Sequence, residues 1–218
     1  MTKGRQNGYE KTYETIRPLL RDLDISCAAR RLGFDLISRD AMSVSFLGRR
    51  FRVTRHEAAP EDGRPVNVNY RSVLVYYAIS GGSGDPRMDF AQLNTFSRGL
   101  FSGASGGAGV DWMSAPLRRA YGDDYPAFAA AARRLGMIYL GSRARGEHNW
   151  AYRLLPKIPV RLNYYEADDE FPAEVKIYYD KTVAHFLDFE PLAVLNGCFT
   201  GALAAAKTPP ETAHDHLD

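Results

Sequence analysis

The sequence predicts an α+β fold, a single domain in which antiparallel β-hairpins pack against several helices. Three observations favour this class. Apolar residues recur with helical spacing in some segments, they alternate with polar residues in others, and turn-forming residues separate the two kinds of segment. We expect the hairpins near 42–54 and 150–179 to build one antiparallel sheet, with the helices packed on one side of it.

The predicted helices combine helical apolar spacing or helix-forming residues with start and stop signals. They cover residues 9–20, 25–32, 70–79, 115–121, 125–135 and 190–206. Pro18 is expected to end the first helix, and residues 1–8 are expected to be a frayed arm. Asp24 and Gly33 are predicted to cap the second helix. Residues 70–79 are apolar enough for a buried strand, but their length and the glycines that follow favour a helix.

The predicted strands alternate apolar and polar side chains. They cover residues 42–46, 49–54, 137–140, 150–155, 159–165 and 175–179. The first two are expected to meet in a turn at 47–49, and residues 56–65 are expected to be a loop. An acidic turn, 166–172, connects the last two strands, and residues 180–187 are expected to be a short helix or turn.

The composition is that of a globular protein. Apolar residues make up 45% of the chain and charged residues 25%, with a net charge of +2, which excludes wholesale disorder and collagen-like repeats. The sequence has no membrane-length apolar run and no apolar signal segment, so we predict a cytoplasmic protein without a membrane partner. Residues 1–206 are expected to form the domain, and the polar stretch 207–218 a disordered tail.

The cysteines and histidines lack metal-site spacing. Cys27 and Cys198 lie in small apolar surroundings and form no C-x-x-C motif. We therefore expect two buried structural thiols in a reducing cytoplasm. No H-x-x-x-H or H-E-x-x-H motif is present, so the sequence predicts no metal site.

A glycine-rich segment, residues 80–111, is the first candidate functional region. It has no dinucleotide-binding, P-loop or nucleophile-elbow motif. Its aromatic and cationic side chains suit closure over a flat, partly anionic organic ligand, and we predict that Phe96, Arg98, Phe101 and Trp112 bind it. Arg98 is expected to hold a carboxylate or phosphate through its guanidinium fork. A plain surface loop pinned by its own aromatic residues is the alternative to a lid.

His148 and Trp150 are the second pair of candidate ligand-binding residues. An imidazole and an indole close together at the start of a strand could stack on a flat ligand or ligate a metal. Tyrosines also come in adjacent pairs at 76–77, 164–165 and 178–179. Strand alternation turns one tyrosine of a pair outward, which leaves both a binding face and ordinary core packing open.

Two further functions stay open. Asp169, Glu170 or His148 could serve as acid or base in an enzyme of unrecognised type. The first hairpin could bind nucleic acid through its arginines, which are Arg49, Arg50, Arg52 and Arg55. Alternation splits those arginines between two faces, and the net charge is small, so the sequence argues against a nucleic-acid partner.

A series of motifs is shared with a known family. The segment TFSRGLFSG is followed by AAARRLGM, then by LLPKIPVRLNYYEADDEFPAEVKIYYD and HFLDFEPLAVL. This order, across residues 65–200, resembles the uncharacterised family of bacteria and archaea called domain of unknown function 3786. The resemblance implies an anaerobe-leaning distribution and, in some members, a cysteine-rich iron–sulfur segment at the N-terminus. This chain lacks those cysteines, and the resemblance brings no established catalytic residues.

Together these observations predict a non-catalytic ligand-binding or accessory protein. Its partner is expected to be a small-molecule or cofactor ligand. A planar anionic cofactor of the tetrapyrrole or corrinoid type fits the aromatic, arginine-bearing loop. The sequence leaves open the ligand's identity, the oligomeric state and whether the protein catalyses a reaction.

Overall fold

The computed structural model describes residues 3–97 and 113–208. Within these ranges the helices are α1 (Lys3–Ile16), α2 (Ile25–Leu32), α3 (Val68–Ile79), α4 (Ala115–Tyr121), α5 (Tyr125–Leu135) and α6 (Phe189–Ala205). Short 3-10 helices cover Arg17–Leu20, Leu93–Phe96 and Lys181–His185. The strands are β1 (Asp35–Ser38), β2 (Ala41–Phe46), β3 (Arg49–Thr54), β4 (Ala58–Pro60), β5 (Phe90–Gln92), β6 (Ile138–Gly141), β7 (Glu147–Leu155), β8 (Ile158–Tyr165) and β9 (Glu174–Asp180). The fold is α+β, as predicted.

The strands form two antiparallel sheets. The first has the order β1-β2-β3-β4, and the second has the order β5-β9-β8-β7-β6. The expectation that the hairpins near 42–54 and 150–179 build one sheet is therefore wrong. Short additional strands pair with the outer edges of each hairpin, so the two hairpins do not pair with each other.

The predicted hairpin near 42–54 is confirmed. β2 and β3 pair in continuous register from Ala41 opposite Thr54 to Phe46 opposite Arg49. Leu47 and Gly48 connect them, with φ angles of 49° and 78°. Two successive positive φ angles are what a type I′ turn requires, and that turn matches the twist of the strands it joins.

The helix ends follow the signals in the sequence. At the start of α2, Asp24 Oδ1 accepts a hydrogen bond from the Cys27 N–H at 2.9 Å. Gly33 ends the helix with a φ of 79°. Asp124 repeats the cap at α5, where its carboxylate accepts from the Ala127 N–H at 3.0 Å. Each cap satisfies a backbone donor that the helix itself leaves unpaired.

One continuous apolar core joins the helices to both sheets. Tyr77 of α3 is fully buried. Its hydroxyl donates to the Leu32 carbonyl at 3.0 Å and accepts from the Lys157 N–H at 3.2 Å. Tyr152 of β7 stacks on Phe199 of α6, with ring centres 5.9 Å apart and planes 6° from parallel. These contacts fix the second sheet against α3 and α6.

Three local expectations are wrong. Helix α1 begins at Lys3, so residues 3–8 of the expected frayed arm are helical. Strand β4 lies inside the predicted loop 56–65 and pairs with β3. Cys27 is exposed and only Cys198 is buried, because the core-facing stripe of α2 recurs at helical spacing and Cys27 lies on the other side.

Residues 209–218, most of the predicted tail, lie outside the described residues. Before them, the Lys207 Nζ donates to the Ala120 carbonyl at 2.5 Å and so joins the end of α6 to α4. Among the helices of the described ranges, none has the length and apolar character needed to cross a membrane.

Candidate functional site

The second sheet has an inner face in the core and an outer face directed away from it. Along β8, Val160, Leu162 and Tyr164 are buried, whereas Arg161 and Asn163 between them are partly exposed. This follows from the two-residue period of a strand. Helices α5 and α6 contact the inner face.

The outer face carries a trough made of two adjoining cavities, of about 510 and 290 Å³. Both are lined by Phe90, Leu140 and Arg161. The surface of the larger one is about equally polar and apolar, and its other lining residues are Arg143, Asn149, Asn163 and Tyr178. The smaller one has a mainly apolar surface, and its other lining residues include Met88, Ile138, Ala151, Pro159 and Arg153. The trough therefore has polar side chains concentrated at one end and a mainly apolar surface at the other, and arginines line both ends.

Arg161 lies where the two cavities meet. Its guanidinium carbon is 4.7 Å from the centre of the Phe90 ring, a cation–π contact. In the described part of the chain, neither Arg161 nor Arg143 forms an ion pair, whereas Lys176 on the same face pairs with Glu174 at 3.0 Å. Within the described ranges, the donors of Arg161 are thus held beside an aromatic ring and have no acidic partner.

Two amide side chains face each other across β7 and β8. Asn149 and Asn163 are register partners. Asn149 Nδ2 donates to the Gly141 carbonyl at 3.2 Å, and Asn163 Nδ2 donates to the Tyr165 hydroxyl at 3.2 Å. Among the described residues, no donor bonds either amide oxygen. The larger cavity therefore offers acceptors as well as cationic donors.

Tyr178 completes the larger cavity from β9, where it lies opposite Arg161. Burial raises the pKa of its phenol, and the neighbouring Tyr165 adds to the effect. Tyr178 is therefore neutral at physiological pH and can donate a hydrogen bond. Its sequence neighbour Tyr179 is fully buried, so the pair divides between the two faces as strand alternation predicts.

A second cluster lies on the inner side of β7, around His148. The imidazole Nε2 is 2.7 Å from Glu166 Oε1, and Nδ1 is 3.3 Å from the Tyr139 hydroxyl. The ring also stacks on Tyr125 at the start of α5, with centres 3.5 Å apart and planes 11° from parallel. The structure thus joins a histidine to a carboxylate at the edge of the acidic turn.

The two strand residues predicted to bind ligand, His148 and Trp150, differ in how deeply they are buried. Trp150 is fully buried, with the Phe128 ring at 6.1 Å and the Arg133 guanidinium at 5.5 Å. His148 is only partly buried, but Tyr125 covers one face of its ring. Both belong to one aromatic cluster on the inner side of the sheet, and the trough lies on the outer side.

The predicted loop residues lie only partly within the described chain. Phe96 ends the 3-10 helix after β5 and lines a cavity of about 600 Å³ beside the start of α6, with Tyr76, Asp188 and Glu190. Arg98, Phe101 and Trp112 lie outside the described residues. The described part of the segment 80–111 holds β5 and this 3-10 helix.

The arginines of the first hairpin are largely neutralised. Arg49 pairs with Asp62 at 2.6 Å and Arg55 with Asp40 at 3.2 Å. Arg50 pairs with Asp35 at 3.0 Å and with Glu61 at 3.5 Å. Within the described ranges, only Arg52 of this group has no ion pair. The hairpin therefore presents little free positive charge.

The acidic turn is held by hydrogen bonds between the Asp168 side chain and the backbone of the turn itself. Asp168 Oδ1 accepts from the N–H groups of Glu170 and Phe171, at 2.9 and 2.7 Å. Asp169 and Glu170 are exposed. No group of three or more histidine, cysteine or acidic side chains in the described residues is arranged to hold a metal ion.

The main residues of the trough were not among the sequence-predicted site residues. Strand alternation was the one pattern that could have indicated Arg161 and Tyr178, because it marks the side chains that face away from the core. Phe90 lies inside the glycine-rich candidate segment 80–111, but no pattern distinguished this residue, because β5 is only three residues long.

Comparison with known protein families finds a match to one family. A family model described as "Domain of unknown function (DUF3786)" matches residues 24–202. No curated protein matches the chain, and no solved structure does. The match covers both sheets, every residue that lines the trough and the His148 cluster.

Proposed function

For this chain, which belongs to the DUF3786 family, we propose a role as a non-catalytic ligand-binding or accessory protein. The ligand is a flat organic anion held in the trough of the outer face. A cofactor of the tetrapyrrole or corrinoid type has the required combination of a broad planar ring system and acidic side groups.

Arg161 carries this proposal. A partly exposed arginine that no carboxylate neutralises in the described chain, held beside Phe90, has donors ready for an incoming anion. The guanidinium fork binds a carboxylate through two parallel hydrogen bonds. Arg143 at the same end of the trough offers a second cation for a second acidic group.

The apolar cavity supports the planar part of the ligand. Ile138 and Leu140 on the edge strand β6 are 66% and 49% exposed, and Met88 opposite them is 57% exposed. Exposed apolar side chains that line one cavity commonly mark a binding site. Burial of these side chains under a ring system would contribute to binding through the hydrophobic effect.

The lining of the trough favours binding over turnover. Of the residues that line the two cavities, none is a histidine, an aspartate or a glutamate. General acid–base catalysis depends mostly on these side chains. The described trough therefore has the groups to recognise and orient a ligand, without the usual groups for proton transfer.

Titration with protoporphyrin IX, a flat dicarboxylate, tests the proposal through its absorption spectrum. We expect a saturable spectral shift in the wild-type protein. Leu140→Gln should weaken binding about tenfold, since it removes apolar contact area. Leu36→Gln is the matched control, because Leu36 is similarly exposed, at 54%, on an edge strand of the first sheet. The absence of a saturable shift, or equal weakening by both variants, would overturn the proposal.

A further inference from the structure

Three side chains on the inner side of β7 form a hydrogen-bonded chain. Glu166 Oε1 lies 2.7 Å from His148 Nε2, and the Tyr139 hydroxyl lies 3.3 Å from His148 Nδ1. A carboxylate accepts hydrogen bonds, so the tautomer of His148 that fits this geometry carries its proton on Nε2. Nδ1 is then the acceptor for the phenol proton of Tyr139.

The imidazole is held in place by its surroundings. Tyr125 stacks on it with ring centres 3.5 Å apart, and the His148 side chain is only 16% exposed. Tyr139, by contrast, is 42% exposed on the edge strand β6. The chain of hydrogen bonds thus runs from Glu166 through a fixed imidazole to the phenol of an exposed tyrosine.

This arrangement has the form of an activated nucleophile. A nucleophilic hydroxyl next to a histidine base, with the base oriented by a third group, is the common pattern of covalent catalysis. Hydrogen bonds between nucleophile and base are often longer in the absence of substrate than in the reacting complex. A separation of 3.3 Å between the phenol oxygen and Nδ1 fits that pattern.

We propose that Tyr139 is a nucleophile that takes an acyl group from an activated ester. The phenol oxygen forms a bond to the acyl carbon as its proton passes to His148 Nδ1. The bond from that carbon to the leaving alcohol or phenol then breaks, and the leaving oxygen takes the proton from Nδ1. Glu166 is a positioning residue that orients the ring and stabilises its transient positive charge. The product is an O-acyl tyrosine, and no oxidant or reductant is needed.

The site is separate from the trough. His148 and Asn149 are neighbours in β7, and alternation directs them to opposite faces of the sheet. Acylation of Tyr139 is a single reaction that ends at the O-acyl tyrosine, without turnover, so it is compatible with a non-catalytic binding role for the trough and the two proposals succeed or fail independently.

The test uses the full chain and p-nitrophenyl acetate, with acetylation of each tyrosine followed by peptide mass spectrometry. Tyr9 and Tyr165 serve as internal references, since both are partly exposed and neither contacts a histidine among the described residues. We expect Tyr139 to be acetylated at least about a hundredfold faster than either reference, at the low end of what a positioned base provides.

Two variants separate activation from simple exposure. His148→Gln should lower the rate at Tyr139 to that of the references and leave the reference rates unchanged. Glu166→Gln keeps a hydrogen-bond acceptor for Nε2 and removes only the charge, so a lower rate at Tyr139 supports its positioning role. Circular dichroism confirms that each variant is folded. Equal rates at Tyr139 and the references, or fast labelling of Tyr139 in folded His148→Gln, would overturn the proposal.

Discussion

The guanidinium carbon of Arg161 lies 4.7 Å from the centre of the Phe90 ring. The contact spans three strands, because Arg161 pairs with Tyr178 of β9 and Phe90 pairs with Asp180 at the end of that same strand. The short edge strand β5 therefore supplies the aromatic partner that holds the arginine at the meeting point of the two cavities. The properties of the trough depend on the second sheet being assembled in this order.

The centre of that sheet should be sensitive to loss of apolar volume. Leu162 of β8 is fully buried, next to Trp150 in register. Leu162→Ala should lower the free energy of unfolding by about 2–5 kcal/mol, because it leaves a cavity in the core. Leu36→Ala, at an exposed position, should change it by less than about 0.5 kcal/mol. Urea denaturation measures both, and similar small losses would show that the inward face was assigned wrongly.

Gly82 should not tolerate a side chain. Its carbonyl accepts from Arg31 at 2.6 Å, and a Cβ at this position would overlap the backbone carbonyl of His185. Gly82→Ala should therefore reduce the free energy of unfolding by about 1–3 kcal/mol. The neighbouring Gly81 has open space at its Cβ position, so Gly81→Ala should change stability by less than about 0.5 kcal/mol. Thermal melting measures the stability of both variants. Equally small changes in melting temperature for the two would contradict the prediction and show that the chain is flexible at both sites.

Asp180 should make folding more stable at neutral than at acid pH. Burial alone would raise the pKa of this carboxyl, but hydrogen bonds from the Thr182 N–H at 2.9 Å and hydroxyl at 2.6 Å hold the pKa below its ordinary value. A carboxyl with a lowered pKa in the folded state stabilises above its unfolded pKa of about 3.9 and loses that effect as pH falls through the folded value.

The corresponding measurement is the free energy of unfolding as a function of pH. Wild-type protein should lose more stability than Asp180→Asn as pH falls from about 5 towards 2. Parallel curves for the two proteins would show that the carboxylate has no such role.

Signals confined to one turn of chain were sufficient for many helix ends and for the first hairpin. Asp24 and Gly33 cap α2 as predicted, and the turn at Leu47 and Gly48 joins β2 to β3. Capping and tight turns depend on residues within four positions of one another, so they are legible in a single sequence.

The short strands at the sheet edges had no such signal. β5 is only three residues long and pairs with β9 far along the chain. β1 and β4 likewise extend the first hairpin through short strands. The prediction of one sheet failed at these points, since a strand of three or four residues shows too little alternation to be recognised.

In the candidate site, too, the features that depend on local sequence could be predicted, whereas those that depend on strand order could not. Alternation indicated that one residue of the pair Tyr178 and Tyr179 faces outward, and Tyr178 does. It did not indicate that Arg161 would meet Phe90, because that contact requires the order β5-β9-β8. The composition of the glycine-rich segment 80–111 predicted a binding role, and this segment does supply Phe90, but Arg161 and Tyr178 of the trough come from β8 and β9.

The central claim is that Arg161 binds the acidic group of the ligand in the trough, and a binding measurement on an Arg161 variant tests it most directly. The measurement compares the dissociation constants of protoporphyrin IX for wild-type protein, Arg161→Ala and Arg52→Ala. Arg52 is an exposed arginine on the first sheet without an ion pair in the described chain, so its removal controls for net charge. We expect Arg161→Ala to weaken binding about tenfold or more, the effect of losing a hydrogen bond to a charged group, and Arg52→Ala to leave it unchanged. Equal dissociation constants for wild-type protein and Arg161→Ala would contradict the account.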